Sequence, residues 1–402
     1  MKPTRTFRIT GQEHEVPGIE ALLRAEGFDF APLALHPKAR ILHEEPFALG
    51  RSLAARLGLI YIQDISSMVP PLVLAPHPGD VVLDLCASPG SKTGMLAEAV
   101  GLWGMVVANE PNPRRLATLR ANMRQIGAVE VVTTSFARFP RLPSAQGFPR
   151  ILVDAPCSGW GTAHKHPEVL RLWRDDKTQT LESLQRALLA RAAEILAPGG
   201  VLVYSTCTTN DRENEAQISW AHDALGLIPQ APPIIPGITV ESTQLGCVRV
   251  VDRRGQGFFV AMLRKNGPPA PAWTSPEQGG RPVNAAFPDA ATCWDAFTLV
   301  PRHKVWDLAP KLALLLSADI AWRGLEIGRH GKNIAWNLGC RRLESLVQAP
   351  LWEVDDPRIL SRLLAGESFR DTGNDGRVKI FFHQVFVGWA TRRAGRLMWV
   401  NR

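Results

Sequence analysis

Between Val81 and Lys265, short apolar runs alternate with longer amphipathic stretches. Val81-Val82-Leu83-Asp84-Leu85 has strand length, and after a turn of small residues, residues 92–100 read as a helix closed by Gly101. Residues 105–108 predict a second strand that ends at Asn109-Glu110. Asn112-Pro113 then supplies a helix cap and a first-turn proline, and residues 114–126 keep helical spacing until Gly127. Residues 129–134, 151–153 and 201–204 predict three more strands, with an amphipathic helix over 180–196 that stops at Pro198-Gly199-Gly200. The strands are apolar throughout, so both faces of their sheet must be covered. That pattern predicts a parallel, doubly wound α/β sheet. Residues 248–251 and 257–263 predict a closing antiparallel hairpin.

The flanks differ. Pro268, Pro269, Pro271, Pro276 and Pro282 crowd residues 266–284, a composition that reads as a linker. Beyond it, strand-like runs at 378–387 and 397–400 accompany a helical stretch at 311–317, which predicts a smaller α+β domain. Helical stretches at 19–26 and 47–57 predict an N-terminal extension packed on the sheet. The expected division is therefore 1–70, 71–265, 266–284 and 285–402.

Composition narrows the class. With 402 residues, 45% hydrophobic and 21% charged, the chain reads as a soluble multidomain protein rather than a disordered one. No apolar run reaches the roughly 18 residues a spanning helix needs, and Met1–Thr10 lacks a secretory core. A cytoplasmic protein without membrane contact is expected. The net charge is +8 and the pI is near 9.4. Residues 301–402 hold 17 Lys+Arg against 10 Asp+Glu, so nearly all of the surplus lies there. This points to an anion-binding module, with Arg323, Arg329, Arg392 and Arg393 as candidate phosphate contacts among interleaved tryptophans. Cys86, Cys157, Cys207, Cys247, Cys293 and Cys340 show neither CxxC nor His-spaced patterns, so no metal site is expected.

Ligands of doubly wound sheets bind at the carboxyl ends of the strands. After the first strand, Cys86-Ala87-Ser88-Pro89-Gly90-Ser91-Lys92 lets the backbone approach a ligand. A nucleotide-triphosphate loop fails on spacing, because Cys86 and Ser91 stand where glycines are required. Glu110, at the end of the second strand, is placed to accept hydrogen bonds from ribose hydroxyls. Together they favour an adenosine-containing cofactor, either a dinucleotide or S-adenosylmethionine. The fourth strand runs into Asp154-Ala155-Pro156-Cys157 and the fifth into Ser205-Thr206-Cys207. Methylation at a pyrimidine C5 demands such a thiol, because that carbon is a poor nucleophile until a thiolate adds at C6. Asp154 is placed to hydrogen-bond the N3–N4 edge of a cytosine.

DLCASPGSKT, ILVDAPCSGWGT, VYSTCTTNDRENE and GQGFFVAMLRK, in that order, resemble the motifs of the NOL/NOP/Sun family of RNA cytosine-5 methyltransferases. The resemblance covers about residues 60–265. It implies a Rossmann-like fold and S-adenosylmethionine as cofactor, held by Cys86 to Lys92, Glu110, Arg115 and Asp154. It implies Cys207 as the nucleophile and Cys157 as the thiol that assists release. Relatives often carry an adenine-binding aspartate after the third strand, where Thr134-Ser135-Phe136-Ala137-Arg138 has no acid. Farther on, Gly324-Leu325-Glu326-Ile327-Gly328 with Lys332, residues 364–367 and Gly388-Trp389 are similar to the PUA-like extension of RsmF-like ribosomal enzymes. This implies 16S ribosomal RNA, free or in the small subunit, as the substrate of a monomeric enzyme that does not act on DNA, with Lys332 among its RNA contacts. Transfer RNA as substrate, or a weakly active RNA-binding assembly factor, are the alternatives.

Overall fold

The computed structural model describes residues 5–140, 147–163, 168–174, 177–251, 257–274, 281–282, 296–303, 305–329, 344 and 349–399. A four-stranded antiparallel sheet comes first, β1 (Thr6–Ile9), β2 (Asp29–Pro32), β3 (Ala39–Glu44) and β4 (Ile60–Ile62). It carries α1 (Val16–Ala25) and the short α2 (Leu53–Arg56), and α3 (Ile65–Leu74) leads onward. The helix expected over 47–57 is shorter, because Ser52 caps a new start by accepting the Ala55 N–H.

The central region is a Rossmann-like sheet. In chain order it holds β5 (Val81–Asp84), α4 (Ser91–Val100), β6 (Met105–Asn109), α5 (Pro113–Ile126) and β7 (Val131–Thr134). It continues with β8 (Phe148–Asp154), α6 (Val169–Leu172), α7 (Gln179–Ile195), β9 (Leu196–Thr206), α8 (Glu215–Leu225) and β10 (Leu227–Gln230). β11 (Val240–Ser242), β12 (Val248–Val251) and β13 (Gly257–Lys265) close it on the antiparallel side. The spatial order is β11-β12-β13-β9-β8-β5-β6-β7, with β10 on β13. From β5 the chain winds outward through β6 and β7, then returns to β8 on the opposite side. This reversal opens a crevice at the carboxyl ends of β5 and β8. Alternate residues face opposite layers: Leu83 lies with Leu189 and Ile218, Val82 with Leu96 and Leu119. At α5 the predicted cap is present, with Asn112 accepting from Arg114 and Arg115 N–H groups and Gly127 ending the helix at φ 68°.

C-terminal to this lie two further sheets. β14 (Arg281–Pro282), β15 (Phe297–Arg302), β16 (Val305–Pro310) and β17 (Leu325–Arg329) form the first. β18 (Leu351–Glu353), α9 (Pro357–Leu364), β19 (Phe369–Arg370), β20 (Gly376–Phe382), β21 (Val385–Arg393) and β22 (Arg396–Trp399) form the second unit. Two expectations need correction. Residues 311–315 are a 3-10 turn rather than a longer helix. Residues 378–387 are not one run but a hairpin, because His383 and Gln384 turn at positive φ.

The four-stranded N-terminal sheet and the last sheet share one core. Phe7, Ile9, Ile19 and Leu22 pack with Leu360, Val378, Ile380 and Val385. A Cβ at Gly18 would lie 2.5 Å from Val385 Cγ2, so the contact requires glycine. Separating these sheets would expose side chains worth about 1.5–3 kcal/mol each, which makes them one unit. The N-terminal sheet also touches the catalytic domain, where Arg8 pairs with Glu98 and Gln125 Nε2 donates to the Ala55 carbonyl. Within the stretch read as a linker, Trp273 is buried and stacks on Phe148, centroids 5.8 Å apart.

Candidate active site

Asp154 and Ser205 are paired in the parallel β8–β9 ladder, so the residues that follow them leave the sheet side by side. This register brings Cys157 Sγ and Cys207 Sγ to 3.1 Å, and the Cys207 N–H points at Cys157 Sγ at 3.3 Å. The two thiols differ electrostatically. The hydrogen bond from Cys157 lowers the Cys207 pKa below the ordinary thiol value; Lys92 adds to this effect, while burial and Asp154 oppose it. The same hydrogen bond, reinforced by burial, pushes Cys157 well above the ordinary value. Of the two, Cys207 is therefore the more acidic thiol and Cys157 the one that more readily keeps its proton, the asymmetry that suits a nucleophile beside a proton-bearing neighbour.

Asp154 Oδ1 accepts from Ser205 Oγ at 2.8 Å, and Oδ2 accepts from Lys92 Nζ at 2.7 Å. Lys92 also donates to Ser67 Oγ at 3.2 Å and lies 5.2 Å from the centre of the Phe258 ring. Sequence reasoning grouped Lys92 and Asp154 with the cofactor contacts. In the fold the lysine lies in the first turn of α4, and its buried ammonium is held by Asp154 and Ser67.

Beside the thiols, the ends of β5 and β6 and one face of α7 enclose a cavity of about 470 Å³, within the size range of small-molecule sites. Of the residues expected to hold a cofactor, Cys86, Glu110 and Arg115 line it. Ala87, Ser88, Pro89, Gly90 and Ser91 form the turn behind, tied down by Arg115 Nη2 to the Ser88 carbonyl and Asn122 Nδ2 to the Pro89 carbonyl. Gly90 opens α4 at φ 107°, a conformation that favours glycine. Glu110 is buried, accepts the Asn112 N–H at 2.9 Å and faces Arg115 Nε at 3.3 Å. Asp84, at the end of β5, accepts from Thr93 Oγ1 at 2.7 Å, and burial pushes its carboxyl up to about 7.

Phe136, Pro111, Leu184 and Leu188 also line the cavity, and sequence reasoning did not assign them. The signal was available at Thr134-Ser135-Phe136, noted only for its missing acid. Asn109 fixes this loop: its side chain accepts the Phe136 N–H at 2.9 Å and donates to the Phe136 carbonyl at 3.0 Å. An apolar ring thus forms part of the wall in the stretch that carries no acid.

The proposed RNA contacts fare differently from one another. Arg392 is corrected: it is buried and its guanidinium is held by Asp371 at 2.5 and 2.8 Å, so its charge is met internally. Arg323 is part-exposed; it chelates buried Asp307 at 2.5 and 3.0 Å, and its backbone bridges Thr133 on the edge strand β7. Arg393 is exposed. Arg329 ends β17, but its side chain, like the whole of Lys332, lies outside the described residues. Among the described residues, no group of three or more His, Cys, Asp or Glu is placed to hold a metal ion, and no helix is long and apolar enough to cross a membrane.

The family model described as 16S rRNA methyltransferase RsmB/F matches residues 71–264. The chain is 34% identical over 277 residues to the ribosomal RNA small subunit methyltransferase F of Shewanella loihica, covering 66% of this chain and 57% of the relative. Against the protein of the same name from Escherichia coli O6:H1 the identity is 38% over 235 residues, 56% of this chain and 48% of the relative. The chain thus spans about half the length of these curated relatives. A methyltransferase homologue from Pyrococcus horikoshii of known structure is 32% identical, with TM-score 0.56 over 66% of this chain and 87% of that one.

Proposed function

The chain belongs to the RsmB/F family of 16S rRNA methyltransferases, and from that premise we propose that it methylates C5 of a cytosine in small-subunit ribosomal RNA. The observation that carries the reading is the 3.1 Å contact between Cys207 and Cys157 at neighbouring strand ends, with the Cys207 pKa lowered and that of Cys157 raised by their hydrogen bond. The cavity fits S-adenosylmethionine: Glu110 offers a buried carboxylate to a ribose, and Phe136, Pro111 and Leu188 offer apolar walls to an adenine. When bound, that cofactor supplies an electrophilic methyl group.

The residues of the chain do the rest. Cys207 adds to C6 of the cytosine and turns C5 into an enamine carbon able to take the methyl group. Asp154 hydrogen-bonds the N3–N4 edge of the base, and Lys92, which donates to its Oδ2 at 2.7 Å, orients that carboxyl group. Release then requires the C5 proton to pass to a base while the C6–Sγ bond breaks and Cys207 leaves as thiolate, and Cys157 assists this elimination. Replacing Cys157 with alanine removes a hydrogen bond that favours the Cys207 thiolate and so slows addition, but it stalls release more, so a covalent protein–RNA complex is expected to accumulate and survive denaturing electrophoresis. Fast turnover by that variant with no complex would remove the division of roles between the thiols.

A further inference from the structure

Behind the thiols lies a carboxylate with no ionic partner among the described residues. Glu213 is fully buried, and its two oxygens accept hydrogen bonds from three elements. Oε2 accepts from the Ser158 N–H at 2.9 Å and from Gln185 Nε2 at 2.9 Å, and Oε1 accepts from Asn210 Nδ2 at 3.0 Å. Ser158 directly follows Cys157, Asn210 lies three residues after Cys207, and Gln185 belongs to α7. The two thiol-bearing loops are joined again by Ser158 Oγ and Thr208 Oγ1 at 2.7 Å, and Gln185 Nε2 also donates to the Pro156 carbonyl. Glu213 is itself anchored, because its carbonyl accepts from buried Tyr204 OH at 2.7 Å.

Burying a carboxylate without a cation is costly unless several donors converge on it. A structural filler for this space would be a neutral side chain. The donors that converge here come from the loops on either side of the thiol pair, so the carboxylate fixes one loop against the other. We propose that Glu213 is a positioning residue, which sets the spacing of Cys157 and Cys207 by holding both of their loops. The inference rests on the reading of these thiols as the reacting pair. A glutamine is the informative isostere: it fills the same volume but turns a donor toward one of the three donors. An alanine removes all three bonds.

The consequence is chemical as well as mechanical. The thiolate form of Cys207 is favoured by Cys157 and Lys92 and opposed by Asp154. Of these groups only Cys157 rides on a loop that Glu213 holds directly. Loosening the brace weakens the thiol–thiol hydrogen bond and leaves the Lys92–Asp154 pair in place.

The test uses the full chain with Glu213→Gln and Glu213→Ala. Alkylation of Cys207 by iodoacetamide is followed against pH by peptide mass spectrometry, alongside methyl transfer to a 16S RNA transcript. Glu213→Ala should slow alkylation at neutral pH by about tenfold and move its pH profile upward, and lower kcat by about 100-fold through misplacement. Its KM for S-adenosylmethionine should stay within about twofold, since the cavity wall is untouched. Glu213→Gln should shift the same quantities in the same direction by less. Should the alanine variant not fold, the glutamine variant alone decides. Unchanged alkylation profiles in the folded variants overturn the proposal, even if their Tm falls. Alkylation needs no RNA, so a wild-type protein that fails to methylate overturns the enzymatic reading while this measurement still judges the brace.

Discussion

The strand ends of the central sheet and the basic C-terminal sheets are both rich in charged side chains, yet they use them in opposite ways. At the strand ends Cys157 meets Cys207 and Lys92 meets Asp154 from separate elements, and Glu110 lines the cavity at the end of β6. In the C-terminal region buried Arg392 and part-exposed Arg323 are paired with Asp371 and Asp307 within the fold. Net charge therefore identified a region with surplus cations without identifying which of them are free. Motif position at strand ends did better, because parallel pairing forces residues after neighbouring strands to emerge together.

Substitutions can break or sharpen this contrast. The largest effect is expected for Cys207→Ala, where methyl transfer should fall on the order of 10⁴-fold or more with little change in Tm, measured by incorporation of labelled methyl groups. Arg392→Ala should do the reverse. Leaving part-buried Asp371 without its partner is expected to cost about 1–3 kcal/mol in denaturant unfolding, with RNA affinity per folded molecule unchanged. An affinity loss without a stability loss would return Arg392 to the RNA surface. Phe136→Ala should weaken S-adenosylmethionine about tenfold in calorimetric titration by removing an aromatic wall; tight binding after this change would place the adenine elsewhere, and no binding even to the wild type would favour an inert RNA-binding factor. The smallest effect belongs to Arg393→Ala, which should reduce the salt dependence of RNA binding by at most about one in log–log slope.

Much of the central sheet was legible because its signals are local. Asn112, Pro113 and Gly127 bound α5 as read, and the parallel strands follow from apolar runs without alternation. The thiol pair was legible for the same reason, since Cys157 follows the end of its strand by three residues and Cys207 by one. What escaped depends on distant partners. Nothing near Lys92 says that its ammonium meets Asp154, 62 residues away. The core shared by the N-terminal and last sheets joins Phe7 and Ile19 to Ile380 and Val385 across nearly the whole chain. The turn at His383-Gln384 lacks the Asn-Gly or Gly signal that marks such hairpins, so 378–387 reads as one strand. Glu213 sits in a run of polar residues, NDRENE, whose pattern alone reads as a solvated helix start.

The most direct test of the account maps the covalent bond itself. The Cys157→Ala protein, incubated with S-adenosylmethionine and 16S RNA, is digested with nuclease and protease, and the nucleotide-bearing peptide is sequenced by mass spectrometry. A methylated cytidine attached to Cys207 is the predicted result. A nucleotide on any other residue, or full methylation with no adduct on Cys207, contradicts it.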